Sequence, residues 1–163
     1  MKTRLLLILG VVLVFAAALQ AHLGVADSKS GIIHVAEVTL GTAGESQCNM
    51  PGAGVTWRVS ENANSAQFVI HYRFANGRSS GSQRFAVGYK VWKQSGNSWI
   101  VVADNERAVD RNVSANDTSF GDCAIPRLSL AGGGNAFRVT VTYDISGVGN
   151  SSTSRMFRVD RAL

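Results

Sequence analysis

Between Ala66 and Val159 apolar and polar residues alternate in short runs, and Gly, Ser, Asn and Asp separate those runs. Phe68, Ile70, Tyr72 and Phe74 recur at strict period two within Gln67–Phe74, which predicts a half-buried strand with an inward aromatic row. Phe85, Val87, Tyr89 and Val91 repeat the pattern, and so do Phe137, Val139, Val141 and Tyr143. Ile32–Leu40, Val55–Ser60, Ser98–Ala103, a short piece at Leu128 and Leu130, and Thr153–Asp160 bring the expected strands to about eight. The segments 41–54 (with Cys48), 75–82 and 104–122 are polar and weakly periodic and read as loops; Gly132-Gly133-Gly134 reads as a turn. Beyond the N-terminal segment no helical period, repeat or heptad is legible. The pattern predicts an all-β chain folded as a two-sheet antiparallel β-sandwich.

One hairpin is marked more sharply than the rest. The turn Gln94-Ser95-Gly96-Asn97 separates Phe85–Val91 from the returning strand Ser98–Ala103. With Ser95 and Gly96 as the central turn residues, Val91 pairs with Ile100 and Tyr89 with Val102 on the core face. Trp92 and Trp99 then become cross-strand partners on the opposite face.

The hairpin residues Gly88-Tyr89-Lys90-Val91-Trp92-Lys93 and Ser98-Trp99-Ile100-Val101-Val102-Ala103 resemble the third strand of a fibronectin type III or related immunoglobulin-like module and the strand after it. Asn135–Asp144 followed by Gly147–Ser152 is similar to the last two strands and their turn. The likeness spans roughly residues 66–160. Tyr72 stands where that family buries a tryptophan, Phe137 where it carries a tyrosine, and the cysteine pair is not a feature of the family. The resemblance implies a module that binds or spaces other molecules, and in such a sheet Arg138 and Arg158 would join the tryptophan face.

The N-terminus bounds the compartment. Lys2 and Arg4 precede an unbroken apolar run from Leu5 to Leu19, the order of a secretory signal peptide, with cleavage after Ala21 or Ala26. The run is short for a bilayer span, which needs roughly 20 residues. The expectation is a leader over 1–26 and one domain over 27–163, exported or displayed at the cell surface, with no membrane span once the leader is gone. The whole chain has 16 basic and 11 acidic residues; without Lys2 and Arg4 the basic count falls to 14. Those residues are scattered singly, which argues against a nucleic-acid partner. In an oxidising compartment Cys48 and Cys123 are expected to close as a disulfide around a loop of about 75 residues, worth roughly 4–5 kcal/mol in the chain-entropy model.

Catalytic chemistry is weakly marked. Gly77-Arg78-Ser79-Ser80-Gly81 has the G-x-S-x-G spacing of a nucleophile elbow, but a strand rather than a helix is expected to follow. His34 and His71 are the available bases once His22 is set aside beside the leader. No enzyme, catalytic residue or cofactor is expected. Asp104, Glu106 and Asp110 are candidate calcium ligands, although Arg107 and Arg111 lie among them and the spacing matches no defined calcium loop. Asn112, Asn116 and Asn150 each begin an N-glycosylation acceptor pattern in an expected loop, relevant to a eukaryotic source.

The strongest marked surface is Trp92 and Trp99 with Lys90, Arg138 and Arg158. Flat rings among cations suit a glycan or a protein partner. The competing reading is structural: cross-strand tryptophans brace a hairpin, and stacked cations add about 0.5–1 kcal/mol per contact. The functional expectation is a non-enzymatic binding or adhesion module. The alternative is a subunit of an extracellular assembly that self-associates through an exposed edge strand such as Ile32–Leu40.

Overall fold

The computed structural model describes residues 31–42, 45–131 and 135–161. The leader expected over 1–26 and the turn at Gly132-Gly133-Gly134 lie outside the described residues. Ten strands follow in order: β1 (Ile32–Gly41), β2 (Ser46–Asn49), β3 (Val55–Val59), β4 (Ser65–Ala75), β5 (Ser82–Ser95), β6 (Ser98–Ser114), β7 (Thr118–Ala124), β8 (Leu128–Ser129), β9 (Ala136–Ile145) and β10 (Gly149–Arg161). No helix occurs among the described residues. The first sheet runs β2-β1-β4-β7 with β8 added to β4, and the second runs β3-β10-β9-β5-β6.

The inward rows come from period two. Phe68, Ile70, Tyr72 and Phe74 of β4 face Phe85, Val87, Tyr89 and Val91 of β5 and Phe137, Val139, Val141 and Tyr143 of β9, and all are buried in one core. Phe68 meets Phe137 edge to face at 5.2 Å between ring centres, and Phe74 lies against Phe85 at 4.8 Å, so the two sheets pack face to face. Each fully buried phenylalanine contributes about 1.5–3 kcal/mol. The inward row of β5 ends in Lys93, whose Nζ donates to the carbonyls of Ser129 (2.8 Å) and Ala131 (3.0 Å) and closes that end of the core. The chain's buried tryptophan is Trp57 on β3, packed against Phe157, whereas Tyr72 sits in the first sheet.

Four expectations change. The sheets are mixed, because β1 runs parallel to β4 and β3 parallel to β10. Alternation reports which face is buried and carries no information on the direction of the partner strand. The supposed loops at 41–54 and 104–122 contain β2, the lower half of β6, and β7. These are edge strands, exposed enough to lack a clean apolar period. The strand Ile32–Leu40 is no simple edge either, since β4 flanks β1 along its length and β2 covers it from Glu37 to Leu40.

The fourth change concerns the cysteines. Cys48 pairs with Val38 at one side of the first sheet, and Cys123 pairs with Ile70 at the other. Three strand spacings, about 14 Å, separate β2 from β7, well beyond the roughly 7 Å Cα limit for a disulfide. Both thiols are free. Burial pushes both upward in pKa, with Thr153 and Arg155 partly opposing this at Cys48, so neither is poised as a thiolate.

Candidate functional site

The site begins at the β5–β6 turn. Gly96 has φ +57, and Asn97 is not among the positive-φ residues, so the turn places its left-handed residue first, as a type II′ hairpin does. Gly96 and Asn97 are therefore the central pair, with Ser95 opposite Ser98, Gln94 opposite Trp99 and Trp92 opposite Val101. The expected pairing of Trp92 with Trp99, Val91 with Ile100 and Tyr89 with Val102 is displaced. A bulge after Trp92 then sets Val91 opposite Ala103 and Tyr89 opposite Asn105. The displacement at Trp92 is two residues, which preserves the face, so Trp92 and Trp99 become diagonal neighbours on the outer side of the second sheet.

β9 delivers the cation. Arg138 stands directly opposite Trp92, and Met156 of β10 stands opposite Arg138. One row thus crosses four strands: Met156, Arg138, Trp92 and Val101, with Trp99 diagonal to its end. The guanidinium carbon of Arg138 lies 4.1 Å from the centre of the Trp92 ring and 5.6 Å from that of Trp99. Its Nε is buried without a hydrogen-bond partner, and no ion pair to Arg138 occurs among the described residues. Both ends of the row are apolar and open, Met156 and Val101 each being 50% exposed.

The other expected cations are already satisfied. Lys90 Nζ sits 5.8 Å from the Trp92 ring but 2.7 Å from the Asp104 carboxylate. Arg158 shares the outer face, opposite Ala136, and its Nε donates to Asp160 at 2.9 Å; no contact joins it to the tryptophans. Sequence reasoning missed Met156 and Val101. Met156 occupies an outward position whose neighbours on that face are polar, and that departure was the available signal; Val101 lies within the apolar run Trp99–Ala103, where nothing marks it.

Below the row the sheet changes character. Between Val109 and Asn105, β6 sets three residues (Glu106, Arg107 and Ala108) against the single residue Gly88 of β5, an excess of two. A Cβ at Gly88 would stand 2.2 Å from the Glu106 carbonyl oxygen and 2.8 Å from Thr142 Oγ1, so only glycine fits. This bulge is what broke the period of the segment read as a loop. It also sets the candidate calcium ligands along a strand rather than around a loop. Asp104 pairs with Lys90, Asp110 with Arg84 at 2.5 Å and Arg107 at 3.3 Å, and Glu106 lies within the bulge. Hydrogen bonds from Arg84, assisted by Arg107, hold the Asp110 carboxyl down to about 2.

Of the glycosylation candidates, only Asn116 lies in a turn, between β6 and β7, with φ 60. Asn112 is an exposed residue within β6, opposite Arg84, and Asn150 an exposed residue within β10, opposite Asp144. Ser79 is exposed in the β4–β5 connection and a strand follows it. His34 and His71 lie on the outer face of the other sheet, away from that serine. Compared with known protein families and with curated proteins, the chain matches none.

Proposed function

We propose that the protein is a non-enzymatic binding module, immunoglobulin- or fibronectin III-like in outline, whose second sheet recognises an anionic extracellular glycan. Arg138 carries this reading: a cation without a carboxylate partner among the described residues, lying between two indoles. The rings offer flat apolar faces to a sugar, and the guanidinium offers a planar fork to a sulfate or carboxylate. Exposed Met156 and Val101 extend the apolar strip on either side. Truncating such anchors characteristically costs more binding than truncating the rim around them. The leader-like segment Met1–Ala26 agrees with a ligand met outside the cell or at its surface.

Tryptophan fluorescence of the purified protein, titrated with a sulfated polysaccharide and with an uncharged one, tests the reading. The expected result is a saturable shift with the sulfated polymer alone, weakened by salt. Arg138→Gln abolishes it and Trp92→Ala weakens it at least tenfold. Arg73→Gln, an equal loss of charge on the opposite face, leaves it unchanged. A flat response with both polymers, or equal losses in Arg138→Gln and Arg73→Gln, overturns the proposal.

A further inference from the structure

The outer face of the first sheet carries a second cluster, separate from the tryptophan row. Between His34 and Ala36 the β1–β4 register shifts, so that Val35 and Ala36 are both buried while His34 and Glu37 remain on the outside. Parallel pairing sets Glu37 opposite His71, and antiparallel pairing sets Asp122 of β7 opposite His71 from the other side. His71 Nδ1 lies 2.5 Å from Asp122 Oδ1, and His71 Nε2 lies 2.5 Å from His34 Nδ1. The ring centres are 4.5 Å apart with planes inclined by 14°. Stacked rings keep their atoms about 3.5 Å apart, so nitrogens this close mean that the two near-parallel imidazoles are slid past one another and meet at their edges rather than face to face.

This arrangement fixes the protons. An ionised Asp122 only accepts, so His71 donates from Nδ1 and turns the lone pair of Nε2 toward His34. A single proton then lies between two nitrogens closer than the roughly 2.9 Å of an ordinary hydrogen bond. A metal ion in its place gives each nitrogen a bond of about 2.0–2.1 Å and requires the pair to part to roughly 3.3 Å at a tetrahedral angle. The proton on His34 Nδ1 must leave that nitrogen for the ion to bind there, passing to Nε2 or to solvent. His71 and Asp122 are 41% and 62% exposed along their side chains, which gives an ion a path in. The Asp122 carboxylate adds a negative charge beside the pair.

We propose that His34 Nδ1 and His71 Nε2 form an open two-imidazole site for a divalent transition-metal ion, with Asp122 orienting His71 from behind. Carboxylate support of a ligating imidazole is the usual outer shell of such sites. Imidazole donors select Cu²⁺, Ni²⁺ or Zn²⁺ over Ca²⁺ and Mg²⁺, and Cu²⁺ binds tightest in the series. Among the described residues no three His, Cys, Asp or Glu side chains form a closed cage.

Calorimetric titration of the purified protein with Cu²⁺, Zn²⁺, Ca²⁺ and Mg²⁺ at neutral pH tests the site. One saturable Cu²⁺ site is expected, with Zn²⁺ weaker and Ca²⁺ and Mg²⁺ silent. His34→Gln and His71→Gln each weaken Cu²⁺ binding at least tenfold, and Asp122→Asn weakens it about 10–100-fold. Electron paramagnetic resonance of the Cu²⁺-loaded native protein, which needs no variant, should show coupling to two imidazole nitrogens. Absence of saturable binding, an effect of only one of the two histidines, or coupling to fewer than two imidazoles overturns the proposal.

Discussion

On the second sheet, the outer face holds its cation by burying it between rings; on the first, the outer face holds its imidazoles in a chain of hydrogen bonds ending on a carboxylate. The two faces lie on opposite sides of one core and are built on the same pleated scaffold. Arg138 has no ion-pair partner among the described residues and lies against two indole rings, so its energetics are largely packing. His34 and His71 are bases whose protons can be replaced, and their surroundings are charged and open. The rings of the second sheet brace the fold as well as exposing a surface. Chemistry of the side chain, rather than strand geometry, sets what each face can do.

The largest test of this contrast removes the support under the second face. Gly88→Ala forces a methyl group onto the Glu106 carbonyl and should cost about 2–3 kcal/mol, because overpacked sites relax only by backbone movement. Urea unfolding would register it, and a loss below about 1 kcal/mol would mean that the bulge moves freely. Next, Trp92→Ala should lower stability by about 1–2 kcal/mol through lost ring burial and cation–π contact. His71→Gln should stay within about 0.5 kcal/mol, as an exposed surface change does. Equal losses would dissolve the distinction between the faces.

A smaller effect belongs to acid. Asp110 has its folded pKa lowered to about 2 from an ordinary 3.8 by Arg84, with help from Arg107. Its contribution to stability is complete above the ordinary value and lost as pH falls through about 2. Asp110→Asn should therefore flatten the acid limb of a stability-against-pH curve between these values while leaving the shape near neutrality unchanged. The smallest expected effect is none: with both thiols free, a reducing agent should leave the unfolding midpoint where it was. A closed disulfide would instead show a loss of roughly 4–5 kcal/mol.

The parts of this fold that alternation determines were legible in the chain. β4, the upper part of β5, and β9 follow from inward aromatic and aliphatic rows, because a buried face on one side demands period two. β2 and β7 were not legible. Ser46–Asn49 and Thr118–Ala124 are short edge strands held by ladder hydrogen bonds, with few inward apolar residues to mark them. At the tryptophan site the residue set was readable but the register was not, since Ser95-Gly96 and Gly96-Asn97 are both acceptable turns and only the backbone decides between them. The histidine cluster was hidden more deeply. His34, His71 and Asp122 are far apart in the chain, and only the parallel pairing of β1 with β4 brings the first two together.

That other parallel pair, β3 with β10, has a temporal meaning. Val55 to Val59 find their partners at Phe157 to Arg161, about a hundred residues later in the chain. As the chain is synthesised, Trp57 and Val59 therefore wait with an unsatisfied edge and an uncovered apolar face until the final strand arrives. Loss of that last stretch, or delay in its arrival, would leave the earliest strand of the second sheet open to any other extended segment nearby.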